Sequence, residues 1–263
     1  MSQSRNKQST NDDDTRIALV TGANKGIGLE TARLLGEEGA LVLLGARDPE
    51  LGATAERDLR DEGWDVRLVS LDITDPESVK AAAARVETEF GRLDVLVNNA
   101  GAALGLGATP STSDPDQLRT LLDVNTVSVV RVINAFLPLL RRSPAGRVVN
   151  VSSEIGSIGS MTDPEGPFFG MSGSPAYPVS KAAVNMLTAL YAKELAGTSV
   201  KVNAANPGFC ATDLNGHSGS RSARQGAQVS LYLANLPDDG PSGVLWGHLA
   251  SADDPESYGV LPW

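Results

Sequence analysis

Tyr177 and Lys181 stand four residues apart in the run Tyr177-Pro178-Val179-Ser180-Lys181. On a helix, positions i and i+4 share a face, so a phenol and an ammonium so placed converge. A phenol titrates near pH 10 and is inert at neutral pH. A fixed cation beside it stabilises the phenolate and makes the group a usable proton donor and acceptor. Lowering the phenol by about 3 units takes about 4 kcal/mol of differential interaction, within reach of a close, desolvated cation. The spacing alone is common on solvated helix faces, so its meaning depends on the elements that hold it.

Those elements alternate. Short Val/Leu-rich runs predict strands at 17–20, 41–44, 66–71, 95–97, 147–151, 200–204 and 244–249. Longer amphipathic runs predict helices at 27–38, 51–62, 77–90, 116–142, 176–196 and 221–236, with Pro138 kinking or shortening the fourth. Strands of this kind are buried on both faces. The alternation predicts an α/β doubly wound parallel sheet of about seven strands with helices on both faces. No interior linker divides 16–263, so a single domain is expected, after a disordered tail at 1–15.

Ligands of such sheets bind beyond the carboxyl ends of the strands. After the first strand comes Thr21-Gly22-Ala23-Asn24-Lys25-Gly26-Ile27-Gly28. Its glycines permit a tight turn against a pyrophosphate, and the next helix offers its first amides. The second strand ends Ala46-Arg47-Asp48, without the acid that would grip a ribose 2′-hydroxyl. Arg47, joined by Lys25, suits a 2′-phosphate instead; the plainer reading pairs Arg47 with Asp48. Asp72, before Ile73, could accept from an adenine or cap a turn. Asn98-Asn99-Ala100-Gly101 suits a backbone against a flat cofactor, or an ordinary turn. Asn125 is a poor helix former inside a predicted helix, which marks either an exposed or hydrogen-bonded side chain or a distortion that frees a carbonyl for water. Ser152-Ser153 ends the fifth strand, and Pro207-Gly208, then Thr212, follow the sixth.

Taken together, these motifs resemble the short-chain dehydrogenase/reductase family over about residues 16–250, and Lys25, Arg47 and the closing Val260-Leu261-Pro262-Trp263 resemble its NADPH-preferring carbonyl reductases. The resemblance implies a Rossmann fold and NADP(H) as cofactor, held by Gly22, Asn24, Lys25, Gly26, Ile27, Gly28, Arg47, Asp72, Ile73, Asn99, Ala100, Gly101, Tyr177, Lys181, Pro207, Gly208 and Thr212. It implies that Tyr177 protonates the developing alkoxide, Lys181 lowers its pKa and holds the nicotinamide ribose, and Ser153 rather than Ser152 polarises the carbonyl. Asn125 would position a water that links Lys181 to solvent. Ser153 and Tyr177 are 24 positions apart, farther than in simple family members. The extra residues, with Met161, Phe168, Phe169 and Met171, form an expected substrate loop at about 154–176, or cover a subunit contact. A second, Gly/Ser-rich loop at 209–224 reads as a lid; Phe209 would meet the substrate or the core.

The implied activity is reduction of a ketone or aldehyde, a small-molecule substrate, to an alcohol, reversible from the alcohol. The alternative is a non-catalytic NADP(H)-binding sensor or regulatory protein on the same fold, which has no chemical need of Ser153, Tyr177 and Lys181. A net charge of −10 over 263 residues disfavours nucleic acid and anionic membrane as partners. The expectation is also that no run approaches the ~20 apolar residues of a span. One cysteine, Cys210, permits no internal disulfide and suits a cytoplasmic location. His217 and His248 lack ligand spacing, so no metal is expected, and both are read as surface or loop residues. The sequence allows a homo-oligomer and does not exclude a monomer.

Overall fold

The computed structural model describes residues 15–104, 108–171, 173–251, 254 and 256–263. Apart from Thr15, the tail expected at 1–15 lies outside the described residues. The strands are β1 Ile17–Thr21, β2 Leu41–Ala46, β3 Val66–Ser70, β4 Val95–Asn98, β5 Arg147–Val151, β6 Lys201–Asn206, β7 Leu245–His248 and β8 Tyr258–Leu261. They form one sheet in the order β3-β2-β1-β4-β5-β6-β7-β8. All neighbours pair in parallel except β7 and β8. The order reverses between β1 and β4, which opens a crevice at their carboxyl ends.

The helices are α1 Gly26–Glu37, α2 Pro49–Asp61, α3 Pro76–Phe90, α4 Pro115–Leu122, α5 Ser128–Leu140, α6 Ile158–Thr162, α7 Ala176–Glu194 and α8 Ala223–Ala234. Side chains alternate across a strand, and the two cores follow that period. Leu19 and Leu43 face Val86, Ile133, Phe136 and Val184 of α3, α5 and α7. Ala18, Val20, Val42 and Leu44 face Leu35, Leu59 and Leu233 of α1, α2 and α8. Burial on both faces is why these strands read as unbroken apolar runs.

Three elements depart from expectation. The long helix expected at 116–142 is broken by a π-turn at Asp123–Val127, while Pro138 sits inside α5 two residues before its end. Asn125 therefore marks a distortion. The antiparallel edge strand β8 and the five-residue α6 were not anticipated; both are too short for periodicity to register. The stretch Pro115–Leu140 is long and apolar enough to cross a membrane by length and composition, contrary to the expectation from sequence. Here the apolar side of α5 packs into the core through Val132, Ile133, Phe136 and Leu140.

Candidate active site

The glycine loop is held by atoms rather than by chance of chain direction. Gly22 and Gly26 adopt φ of 63° and 57°, a region that L side chains rarely enter. Asn99 Nδ2 donates to the carbonyls of Thr21 and Gly22 at 2.9 and 3.2 Å. The amides of Asn99 and Ala100 both donate to Thr21 Oγ1 at 3.0 Å. A Cβ on Gly28 would stand 2.4 Å from Asn99 Nδ2 and 2.5 Å from the Gly22 carbonyl oxygen. The loop after β4 is thus a brace for the loop after β1. Asn98 is buried and donates to Asn150, so it belongs to the brace, not to a ligand surface.

The N-terminus of α1 differs from those of α2, α3 and α4. The latter three are capped by the carboxylates of Asp48, Asp75 and Asp114. Lys25, at the α1 N-cap, offers no side-chain cap, and the first turn has no acid. Its amides remain available to an anion, and the left-handed glycines bring backbone close to it. The residues present therefore fit a pyrophosphate.

The residues expected around the rest of a dinucleotide follow at the same sheet edge. Asp48 caps α2 through Glu50 and Leu51, so it is not the partner of Arg47, which lies exposed. Ala46 is buried and carries no acid to the strand end. Asp72 accepts from the amide and hydroxyl of Thr74, at 2.9 and 2.7 Å, which fulfils the capping reading. Burial alone would raise its carboxyl; the Thr74 bonds, then the charges of Arg47 and Arg131, outweigh burial and hold it below the usual carboxylate range. Arg131 donates to the carbonyl of Ile73. Lys25 does not stand open beside Arg47: its ammonium pairs with Asp213 at 2.7 Å. Gly208 has φ of 77°, and a Cβ there would meet Arg221 and His248. Thr212 forms a capping box with Asn215, and its methyl faces Gly26.

Tyr177 and Lys181 both lie on α7, with Pro178 in its first turn, where its missing N–H does no harm. Lys181 is buried; its Nζ donates to the carbonyl of Val151 at 2.8 Å and lies 5.5 Å from the centre of the Tyr177 ring. Asn125, also buried, accepts from the Ala102 amide at 2.8 Å and donates to the Ala102 carbonyl and to Ser180 Oγ. A Cβ on Gly101 would fall 3.2 Å from Asn125 Oδ1 and 3.8 Å from Lys181 Nζ. The π-turn, α7 and the loop after β4 therefore meet at one point.

The two serines are distinguished by their partners. Ser152 is buried and donates to Asn185 Oδ1. Ser153 is partly exposed, and its hydroxyl makes no hydrogen bond among the described residues. The free hydroxyl is the second of the pair.

One expectation is corrected here. The cation was expected to lower the Tyr177 phenol, but desolvation pushes it up to about 12, although part of the side chain reaches solvent. Burial likewise lowers Lys181 to about 8. The ammonium donates to Val151, and desolvation shifts each group toward its neutral form. The pair is set with the phenol holding its proton at neutral pH.

The substrate-loop residues are less committed. Phe168 is half-buried, whereas Phe169 and Phe209 are 58% and 57% exposed. His248 ends β7, within the strand expected at 244–249, and is partly exposed, while His217 is exposed. Sequence reasoning missed Glu154. Its buried carboxyl accepts from Ser160, Asn206 and the Ala250 amide, and burial pushes it up. It also missed Asp213. Neither has a local signal, because each gains its meaning from partners distant in the chain.

A profile of the short chain dehydrogenase family matches residues 16–223. The NADPH carbonyl reductase 1 of Sus scrofa is 36% identical, with 95% of this chain and 98% of that protein covered. The chain belongs to the short-chain dehydrogenase family. It is an oxidoreductase. Other family members similar to it include the (+)-neomenthol dehydrogenase of Capsicum annuum, 31% identical over 88% of this chain and 95% of that one. Among solved structures, NADPH-bound carbonyl reductase from chicken fatty liver superposes with a TM-score of 0.79 at 27% identity, covering 95% of this chain and 99% of that one.

Proposed function

We propose that this protein reduces a ketone or aldehyde to the alcohol with NADPH, and runs in reverse as an alcohol dehydrogenase. The observation that carries this reading is the buried Lys181 ammonium, tied to Val151 and set 5.5 Å from the Tyr177 ring at the edge where the site loops meet. When bound, NADPH supplies the hydride. Gly22, Asn24, Gly26, Ile27 and Gly28, with the α1 amides, would hold its pyrophosphate. Lys25 and Arg47 would take the 2′-phosphate, Asp72 and Ile73 the adenine, and Lys181 the nicotinamide ribose. Asn99, Ala100, Gly101, Pro207, Gly208 and Thr212 would complete the cofactor site.

The chain's own part is positioning and proton transfer. The Ser153 hydroxyl donates to the substrate carbonyl. Tyr177, kept neutral by burial, gives its proton to that oxygen as charge grows there. The Lys181 cation stabilises the phenolate left behind. Both ends of the Asn125 amide are engaged by Ala102 and Ser180, so a relay water to Lys181 would rest on backbone opened by the π-turn. Relatives named as NADPH carbonyl reductases support the cofactor and the reaction together. A cytoplasmic location fits the single buried thiol of Cys210.

The test is loss of reduced-nicotinamide absorbance with purified protein and a panel of aldehydes and ketones, run with NADPH and with NADH. Turnover with NADPH, at least about tenfold better than with NADH, is expected from charge-assisted bonds to a 2′-phosphate. Tight NADPH binding without turnover of any carbonyl would favour a sensor.

A further inference from the structure

The Lys25 ammonium bridges to a residue 188 positions away, Oδ2 of Asp213 at 2.7 Å. Both side chains are more than half exposed. Asp213 is nevertheless not a wandering partner. It opens the short 3-10 turn Asp213–Asn215, whose start is fixed by the Thr212–Asn215 capping box. Its other oxygen, Oδ1, is 2.9 Å from His217 Nε2. The base of the loop is closed by the Ala211 amide on the Arg221 carbonyl, at 2.8 Å, and the Arg221 amide on the Phe209 carbonyl, at 3.1 Å. Thr212 touches the glycine loop itself, with its methyl 3.5 Å from where a Gly26 Cβ would stand. The loop after β6 thus delivers a carboxylate to the one cation of the glycine loop. The Lys25 and His217 contacts hold that carboxylate below its usual range.

We propose that Asp213 is a specificity-determining residue that competes with the 2′-phosphate of the cofactor for Lys25. The proposal rests on the reading of Lys25 as a 2′-phosphate ligand. A phosphate reaching the ammonium must share it with the carboxylate or displace it, and either way it meets the Asp213 charge; when displaced, Asp213 keeps His217 as a partner. A cofactor without that phosphate leaves the ion pair alone. Asp213 therefore trims the preference for NADPH below what Lys25 and Arg47 would give by themselves, and it does so without touching the reacting carbonyl.

The experiment is calorimetric binding of 2′,5′-ADP and 5′-AMP, and of NADP+ and NAD+, to full-length wild type, Asp213→Asn, Lys25→Ala and the double variant. Asn keeps an acceptor for His217 and removes only the charge. Asp213→Asn is expected to bind 2′,5′-ADP and NADP+ about two- to fivefold tighter, the scale of an exposed ion pair, with 5′-AMP and NAD+ unchanged. In the Lys25→Ala background the substitution is expected to do nothing. Unchanged or weaker 2′,5′-ADP binding by Asp213→Asn overturns the proposal. So does an equal gain for 5′-AMP, or a gain that persists without Lys25, since either would be general charge repulsion. If Lys25→Ala itself leaves 2′,5′-ADP affinity unaltered, the assignment of Lys25 fails first, and the competition falls with it.

Discussion

The glycine loop and the segment between Ser153 and Tyr177 flank the same site, yet they are built in opposite ways. In the first, backbone meets backbone: Asn99 and Thr21 lock the turn, and a Cβ on Gly28 has no room. In the second, Gly170 and Gly173 have nothing within 4 Å of an added Cβ, and Ile158, Phe169 and Met171 are exposed. A region that recognises an invariant ligand through main-chain groups leaves little freedom to its side chains. A region that meets a variable ligand through side chains can change them without disturbing the sheet. The second region is anchored at its start on α7: a Cβ on Gly156 would strike Lys181 backbone and side chain at 2.7 Å, so that end is as tightly seated as the glycine loop.

The largest expected effect tests whether the chemistry sits apart from both regions. Tyr177→Phe is expected to lower carbonyl reduction about 10²–10⁴-fold while cofactor affinity changes little, because only the transferable proton is removed. Near-normal turnover by this variant, measured at saturating cofactor, would refute the proton-donor role.

The next pair of substitutions sets the two regions directly against each other. Gly28→Ala forces a Cβ onto Gly22 backbone and is expected to cost about 1–3 kcal/mol of stability, with loss of cofactor binding. Gly170→Ala meets open space and is expected to stay within about 0.5 kcal/mol of wild type. Equal shifts of the denaturation midpoint would erase the contrast.

A charge swap sharpens the constant side. Arg47→Ala with Ala46→Asp is expected to move selectivity by at least about tenfold toward NADH, read as the ratio of kcat/KM for the two cofactors. An unchanged ratio would place 2′-phosphate recognition elsewhere.

Lys181 lies under the start of the variable segment, and burial lowers it to about 8. Below that pH it is charged; above it the cation is lost. The kcat/KM for cofactor is therefore expected to fall as pH rises through about 8, and the bend to vanish in whatever activity Lys181→Arg retains. Stability runs the other way. Between about 8 and the ordinary 10.5 the fold binds fewer protons than the unfolded chain, so unfolding free energy rises with pH there. A flat cofactor profile across this range would remove Lys181 from cofactor binding.

The smallest effect concerns the variable side. Trimming Phe168 and Phe169 to Ala is expected to shift relative kcat/KM toward bulkier ketones, with cofactor affinity unchanged. Equal losses for every substrate would take these rings out of the pocket.

The sequence made the constant region readable because its signals are local: glycines at fixed spacing, strand ends on one sheet edge, and a Tyr–Lys step along one helix. Asn125 was conspicuous for the same reason, as a poor helix former in a helical run. The signals that failed are those made by distant partners. Asn185 engages Ser152 from 33 positions away, so only the resemblance, not the residues themselves, could favour Ser153. Lys25 finds its carboxylate 188 positions on. The sign of the Tyr177 shift depends on how deeply the fold desolvates the phenol, which spacing does not encode.

The π-turn at Asp123–Val127 carries one residue more than an α-helical turn. Each residue of an α-helix advances the side-chain direction by about 100°. Removing a single residue here would let α4 run straight into α5, and every α4 side chain would swing about a quarter-turn or more relative to the sheet. No point substitution can accomplish that change. The feature that brings Asn125 to Ala102 is therefore heritable as a length, and its loss or gain would appear in related chains as a one-residue gap.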